Sequence, residues 1–554
     1  MTEHPPTANV QLEGIFPRMS QAARVLSMLV LVAALALGAW HVWRFAEHTA
    51  ASLAQRGPLD GQEGTLLHEA RLILRGEPLY QPLQLDRVVG APYPPLHAYT
   101  LAGVEYFARG DAPPQREQPL FRAGRLISLG AMLAAAALLG LTAWQSSGRP
   151  LVGLLAATLL LAAPPVQLWA TRIKPDPLAL ALTAAGLLCA TRFFTRQEAS
   201  KLHGGAPRLL LLVGAALLFA AAFFTKQTYI AAALAVGLTL LFSATGEVTG
   251  QHWLRRLVDA HRPLLVFGLT YALAVGLVWF LLDITSAGQY SFHVWGLHPP
   301  AWWTFTRFLR YLGLLLSAWP LLALCLIGLP LTAWAVQALR RRPSPTWLLP
   351  LLYAGLGTAT LIGAGTLGSH HNHLLEPTLA LTLGGCAVAG RLLAASERQG
   401  DKRGSTRPLH AAGALLAVGL LLAQGVSYVQ RPAWYGGEFD PARDDWQRFV
   451  TLIASQPGEV LSDDVSLLLL AGKEPRYDDP ATMGPAANSG LWDQRGLLRE
   501  VEERRFDLIL LHFDATEYAI DPYRRWSPEF IAALRANYRL LYRDVTFSYV
   551  PRER

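Results

Sequence analysis

The sequence predicts a mainly α-helical bundle crossing a membrane about eleven times, with a long first external loop and a small C-terminal α/β domain. Three observations predict it. Of 554 residues, 52% are hydrophobic and only 16% charged, against about 25% charged in soluble domains. Apolar runs of the ~20 residues that span a bilayer recur along the chain. The Lys and Arg residues gather in the short loops between those runs, a topology signal.

The net charge of +8 therefore reflects membrane topology and does not point to nucleic acid as a partner. Cys189, Cys325 and Cys386 lie far apart inside apolar segments, which indicates neither a disulfide framework nor a cysteine metal site. The first apolar segment is too long for a removed signal peptide and shows no small-residue cleavage site.

Residues 1–20 are polar and contain proline, so a disordered cytoplasmic N-terminus is expected there. The transmembrane domain is placed at 21–429, with apolar segments near 24–45, 124–145, 151–170, 176–195, 208–225, 228–245, 264–282, 311–333, 347–367, 375–395 and 409–429. With the N-terminus inside, cytoplasmic loops hold fourteen Lys and Arg residues; the short loops opposite hold five, namely Arg172, Lys174, Lys226, Arg307 and Arg310. That asymmetry orients the chain in a plasma (inner) membrane, with residues 430–554 outside. In this tail EVLSDD and FDLILLHF read as buried strands, PEFIAALRANY as a helix and LLYRDVTFSYV as one or two strands. The stretch 283–310 is rich in Trp, Phe and His and reads as an interfacial segment. No internal repeat is visible, unlike transporters built from duplicated halves.

The first external loop, 46–123, begins with an amphipathic helix. Asp60 can cap it with Glu63 three residues on; Leu67, Ala70 and Leu74 form its apolar face, and Gly76 before Pro78 ends it. A second amphipathic run covers Pro95–Phe107. Glu63 reads either as a capping carboxylate favoured by the helix dipole or as a base fixed at the membrane surface. Other candidates fall at outer ends of spans, where polar groups at membrane depth are costly. Arg172, Lys174 and Asp176 crowd into five residues. Asp176, before Pro177, caps the fourth span or serves chemistry, and the two cations suit a lipid phosphate. Lys226, in a short outer turn, is a snorkelling anchor or a phosphate ligand. His370, His371, Asn372, His373 and Glu376 cluster before the tenth span. They could bind a sugar or a phosphate; a metal stays open, although the spacing matches no zinc signature. Tyr93, ahead of two prolines, marks a stiff turn and could pack on a sugar.

Together these motifs resemble bacterial integral-membrane glycosyltransferases of the GT-C fold class, in the group that includes family 39 and the RgtA/B/C/D-like enzymes. The likeness rests on Glu63-Gly64, Glu69-Ala70-Arg71, Gly76-Glu77-Pro78-Leu79-Tyr80, Tyr93-Pro94-Pro95-Leu96, Lys174-Pro175-Asp176-Pro177, Thr225-Lys226-Gln227 and Asn372-His373-Leu374-Leu375-Glu376, over about residues 20–430. The resemblance implies inverting transfer of a hexosyl or pentosyl group from a polyprenyl-phosphate donor to a lipid, glycan or protein acceptor outside the membrane. It implies an acidic first-loop residue as base. That role falls on Glu63, with Asp60 as the other assignment because relatives carry an acidic pair where this chain has Gln62-Glu63. Asp176 matches a further acidic position of the group. Arg172, Lys174, Lys226 and Arg307 are the cations available to the departing phosphate. Whether Mg²⁺ or Mn²⁺ serves as cofactor stays open, and a transporter or flippase of a lipid-linked sugar is the alternative reading.

Overall fold

The computed structural model describes residues 9–109, 121–203, 209–244, 253–297, 303–339, 344–397, 407–429, 446–518, 520–521, 525–544 and 546–553. The chain is a helical bundle topped on one side by two non-membrane parts that pack on each other.

Helix α1 (Asn9–Ala54) starts well before the first apolar run. The stretch expected to be disordered is thus helical from Asn9, and residues 1–8 lie outside the described residues. The first external loop supplies α2 (Glu63–Leu74) and α3 (Leu96–Arg109). The bundle continues with α4 (Phe121–Ser147), α5 (Pro150–Ala162), α6 (Pro164–Trp169), α7 (Pro175–His203), α8 (Leu210–Thr225), α9 (Ala231–Ala244) and α10 (Trp253–Thr285). It closes with α11 (Gln289–Ser291), α12 (Phe305–Leu315), α13 (Trp319–Leu339), α14 (Pro345–Ala359), α15 (Leu375–Glu397) and α16 (Arg407–Val429).

Among the described residues eight helical stretches are long and apolar enough to cross a membrane, and α5, α8 and α9 are shorter apolar helices. These three have 13, 16 and 14 residues, or roughly 20–24 Å at 1.5 Å per residue, less than the ~30 Å hydrocarbon core. For α5 the cause is local: Ala163 precedes Pro164 and is extended, with φ −64° and ψ 131°, as residues before proline prefer. The protein is multi-pass. Of the interfacial stretch, α11 leads into a π-helical turn (Phe292–Gly296), residues 298–302 lie outside the described residues, and Trp303 and Phe305 are exposed.

The tail holds α17 (Trp446–Ala454), β1 (Glu459–Ser462), α18 (Val465–Leu470), α19 (Pro480–Asn488), α20 (Arg495–Glu502), β2 (Phe506–Leu511), α21 (Pro528–Asn537), β3 (Tyr538–Tyr542) and β4 (Phe547–Pro551). Its four strands pair in the order β1-β2-β4-β3, with β1 parallel to β2 and the other pairs antiparallel. The strands and helix read from the sequence are all present.

The tail is seated on the first loop. Leu66, Leu67 and Ala70 of α2, Leu101 of α3, Ile173, and Val465 and Leu469 of α18 form one apolar core. Val88 bridges Tyr477, and the Thr65 hydroxyl donates to the Asp478 carbonyl at 2.7 Å. The backbones also approach closely at Gly64, whose N–H donates to Ser466 Oγ at 2.9 Å. A Cβ there would lie 2.2 Å from the Ser466 backbone nitrogen. Gly64→Ala is therefore expected to cost about 1–3 kcal/mol, as overpacking does, and to loosen the tail. Faster limited proteolysis within 446–553, with the bundle intact, checks this.

Candidate active site

The α2 helix begins at Glu63 with Gln62 before it, and no side chain caps it. Asp60 does not cap the helix, contrary to the sequence reading; its Oδ1 accepts the Gln62 N–H at 2.9 Å, closing a tight turn one step earlier. The C-terminal stop is as expected. Gly76 has φ +73°, and the Glu77 N–H reaches back to the Leu72 carbonyl at 2.9 Å, a Schellman arrangement that glycine accommodates without strain. The two-residue displacement of the helix start, from a cap at Asp60 to one at Gln62, sends the two carboxylates to different places.

Glu63 turns inward and is fully buried. Arg125 grips it through Nη2 at 2.7 Å and Nε at 3.3 Å. The Leu59 and Ile173 N–H groups donate to its two oxygens at 2.9 and 3.1 Å. Both oxygens of Glu63, offered by the sequence as the base, thus accept hydrogen bonds from Arg125 and from two backbone N–H groups.

Asp60 faces the rim, with its side chain 16% exposed. Lys174 Nζ lies 3.0 Å from one oxygen and Arg172 Nη1 3.3 Å from the other. Burial pushes the Asp60 carboxyl up, but Lys174, Arg172 and His370 outweigh it and hold the group well below the usual carboxylate range. Both cations stand over the Trp169 ring, at 4.8 Å for Arg172 and 5.6 Å for Lys174, and Lys174 also donates to the Gln62 side chain.

A second buried group adjoins the first. Asp176, at the start of α7, accepts from Lys226 Nζ at 2.6 Å, from Asn372 Nδ2 at 3.2 Å and from the Tyr229 hydroxyl at 3.4 Å. Lys226 also lies 5.8 Å from the centre of the Tyr93 ring. Asp176 therefore fixes Lys226 and Asn372. Further along the rim, His370 is exposed and its ring lies 6.5 Å from Trp169. His373 sits in a short 3-10 turn (His371–Leu374) that runs into α15. Glu376 is buried, and its Oε1 has no hydrogen-bond partner. Arg307 is half-buried on α12, one turn from Tyr311, whose ring meets His371 at 5.8 Å. Arg307 pairs with no acid among the described residues.

Among the described residues no group of three or more His, Cys, Asp or Glu is placed to hold a metal ion. At Asp60 an ammonium and a guanidinium flank the carboxylate.

No family model matches the sequence, and no curated protein matches it. Solved structures do. ArnT from Cupriavidus metallidurans bound to undecaprenyl phosphate is 16% identical, with 92% of this chain and 97% of that one covered and a TM-score of 0.50. The chain has the GT-C fold. The archaeal oligosaccharyltransferase AglB from Archaeoglobus fulgidus, in complex with an inhibitory peptide and a dolichol-phosphate, is also similar: 10% identity, 93% and 74% coverage, TM-score 0.49.

Within this GT-C fold, sequence reasoning missed Arg125, Trp169, Tyr229 and the tail's Asp464. An Arg near the start of α4 reads as an ordinary membrane flank. Asp464 follows β1, and its Cγ lies 4.0 Å from where a Gly61 Cβ would be, so the tail reaches the Asp60 turn. Burial pushes the Asp464 carboxyl up to about 6.

Proposed function

We propose that the protein is a membrane glycosyltransferase that moves a hexosyl or pentosyl group from a polyprenyl-phosphate donor to a lipid, glycan or protein hydroxyl at the outer membrane face, with inversion. One observation carries the reading: of the two candidate bases, Asp60 and Glu63, Asp60 alone is partly exposed, and it is paired with two cations suited to a lipid phosphate. The Lys and Arg distribution supports the outer face, and the shared fold with ArnT supports the chemistry.

The donor phosphate takes over Arg172 and Lys174, leaving Asp60 free of them. Asp60 then accepts the proton of the attacking hydroxyl as the acceptor oxygen bonds to the anomeric carbon. The bond from that carbon to the phosphate oxygen breaks, and its electron pair leaves with the polyprenyl phosphate, stabilised by the same two cations. No general acid is needed, because the leaving group is already a phosphate. Purified protein with a radiolabelled polyprenyl-phosphate sugar tests this: transport without cleavage of the glycosidic bond would overturn it in favour of a flippase.

The takeover has a pH signature. In the free enzyme the Asp60 pKa is depressed, so its charged form persists into acid; with the cations drawn to phosphate, the depression relaxes and the pKa rises. The acid limb of kcat is therefore expected at higher pH than that of kcat/KM for the donor. Coincident limbs, or the reverse order, would count against the exchange.

A further inference from the structure

The C-terminal end of α10 opens into a cavity of about 540 Å³, within the ~300–1,000 Å³ of small-molecule sites. It lies on the side of the bundle that carries the first loop, since Tyr290, just past α10, meets the Tyr80 ring at 5.2 Å. Gly276, Trp279, Asp283 and Ile284 of α10 line it, and the turn at Ala287 and Gly288 completes the wall. The reaction above uses none of these residues.

The shape of the cavity follows from how α10 stops. Ala287 and Gly288 are both left-handed, with φ +52° and +83°. The Gly288 N–H reaches back to the Asp283 carbonyl at 2.8 Å, a Schellman arrangement with alanine where glycine is usual. The reversed chain brings the Ser291 N–H to Asp283 Oδ1 at 3.1 Å, and Trp279 Nε1 donates to the Ser291 hydroxyl at 3.0 Å. Trp279 also stacks on Phe223 at 6.1 Å and on Trp295 at 5.8 Å. These contacts hold the wall in place. At Gly276 the wall is bare: no heavy atom lies within 4 Å of where a Cβ would be.

Among the described residues Asp283 is the one charged group that lines the cavity, and it pairs with no cation. It stands two residues before the end of the span His261–Thr285, and an unpaired carboxylate at the edge of the apolar layer is costly. Leu265, Leu269 and Leu273 are exposed and recur at every fourth residue toward the middle of that span. An apolar stripe thus leads from the cavity along the helix. A molecule with a cationic head and a hydrocarbon body matches both features. A polyprenyl phosphate does not, because its head is anionic. The ring contacts decide which cation fits. Trp279 is already engaged in two stacks and offers no aromatic cage to a quaternary ammonium. A primary ammonium brings three N–H donors to the carboxylate instead.

We propose that this cavity binds the headgroup of a phospholipid bearing a primary ammonium, which donates to Asp283 while the acyl chains lie along Leu265, Leu269 and Leu273. The site is independent of the transfer reaction and stands or falls without it.

Native mass spectrometry of the full-length, delipidated protein tests it. The lipids titrated are phosphatidylethanolamine, phosphatidylcholine and phosphatidylglycerol with identical acyl chains. Phosphatidylethanolamine is expected to bind about tenfold or more tightly than either of the others, the effect of one charge-assisted hydrogen bond. Asp283→Asn, which keeps an acceptor for the Ser291 N–H, should erase that preference and leave phosphatidylglycerol binding within about twofold of the parent. Gly276→Leu should erase it too, by filling the cavity with the carboxylate intact. A photoreactive phosphatidylethanolamine on the parent protein, which needs no variant to fold, should label residues 276–288.

The proposal is overturned if phosphatidylcholine or phosphatidylglycerol matches phosphatidylethanolamine, or if the preference survives either substitution in a folded variant. Label confined to other segments overturns it as well. So does displacement of the label by undecaprenyl phosphate, which would make the cavity a donor groove, or a dimer cross-linked through α10, which would give this face to a second copy of the chain.

Discussion

Asp60→Asn lowers sugar transfer by about a thousandfold, within the range typical for removal of a general base, while the protein stays folded. The substitution keeps the size of the side chain and an acceptor oxygen for the Gln62 N–H, so the turn before α2 survives. It removes the charge that Lys174 and Arg172 now contact. With that charge gone the two cations carry more uncompensated charge toward the donor phosphate, so the variant should bind polyprenyl phosphate at least as tightly as the parent. The expected pattern is a collapse of kcat with an unchanged or lower donor KM. A variant that transferred at the parental rate would show that Asp60 is not the base; one that lost donor binding would make it a structural residue of the turn.

Much of the fold was legible because continuous apolar runs permit few alternatives in a bilayer. The tail strands were readable for a related reason: FDLILL is too short and too apolar for a surface helix, and it became the buried β2. The rim cations were legible too, since Lys174 and Lys226 stand out against the charge distribution of the other loops. What could not be read was which of two carboxylates, three residues apart, faces that rim. The Asp-x-x-Glu spacing suited a capping box, but the helix begins at Glu63, and that difference rotates Glu63 into the core and leaves Asp60 outside. Nor could local sequence indicate Arg125, 62 residues from Glu63, as its partner. The same holds for the tail: Gly64 and Ser466 meet across 402 residues, and no periodicity in either stretch announces the contact. Asp478 and Asp479 look like a solvated acidic pair before a helix-starting proline until the first loop is laid over them.

Glu63→Gln is expected to produce the opposite pattern to Asp60→Asn: a large loss of stability with transfer per folded molecule little changed. The physical reason is the site of Arg125, whose side chain is fully buried. Besides Glu63 it donates to the Gln55 and Gly57 carbonyls at 2.6 Å each and to that of Ser52 at 3.4 Å. The guanidinium therefore binds the end of α1, the start of α2 and its own helix α4 together. Glu63 in turn holds the Ile173 N–H, next to the rim cations. Neutralising Glu63 leaves a buried guanidinium without a counter-charge, a change that costs about 3–5 kcal/mol. Arg125→Lys should be nearly as damaging, because one ammonium cannot match the planar fork that serves three carbonyls and a carboxylate. Melting curves of the purified variants in detergent, read beside transfer assays normalised to folded protein, separate the two roles. If Glu63→Gln melted with the parent and yet transferred no sugar, Glu63 would be the base after all, and its burial against Arg125 would have to open during the reaction.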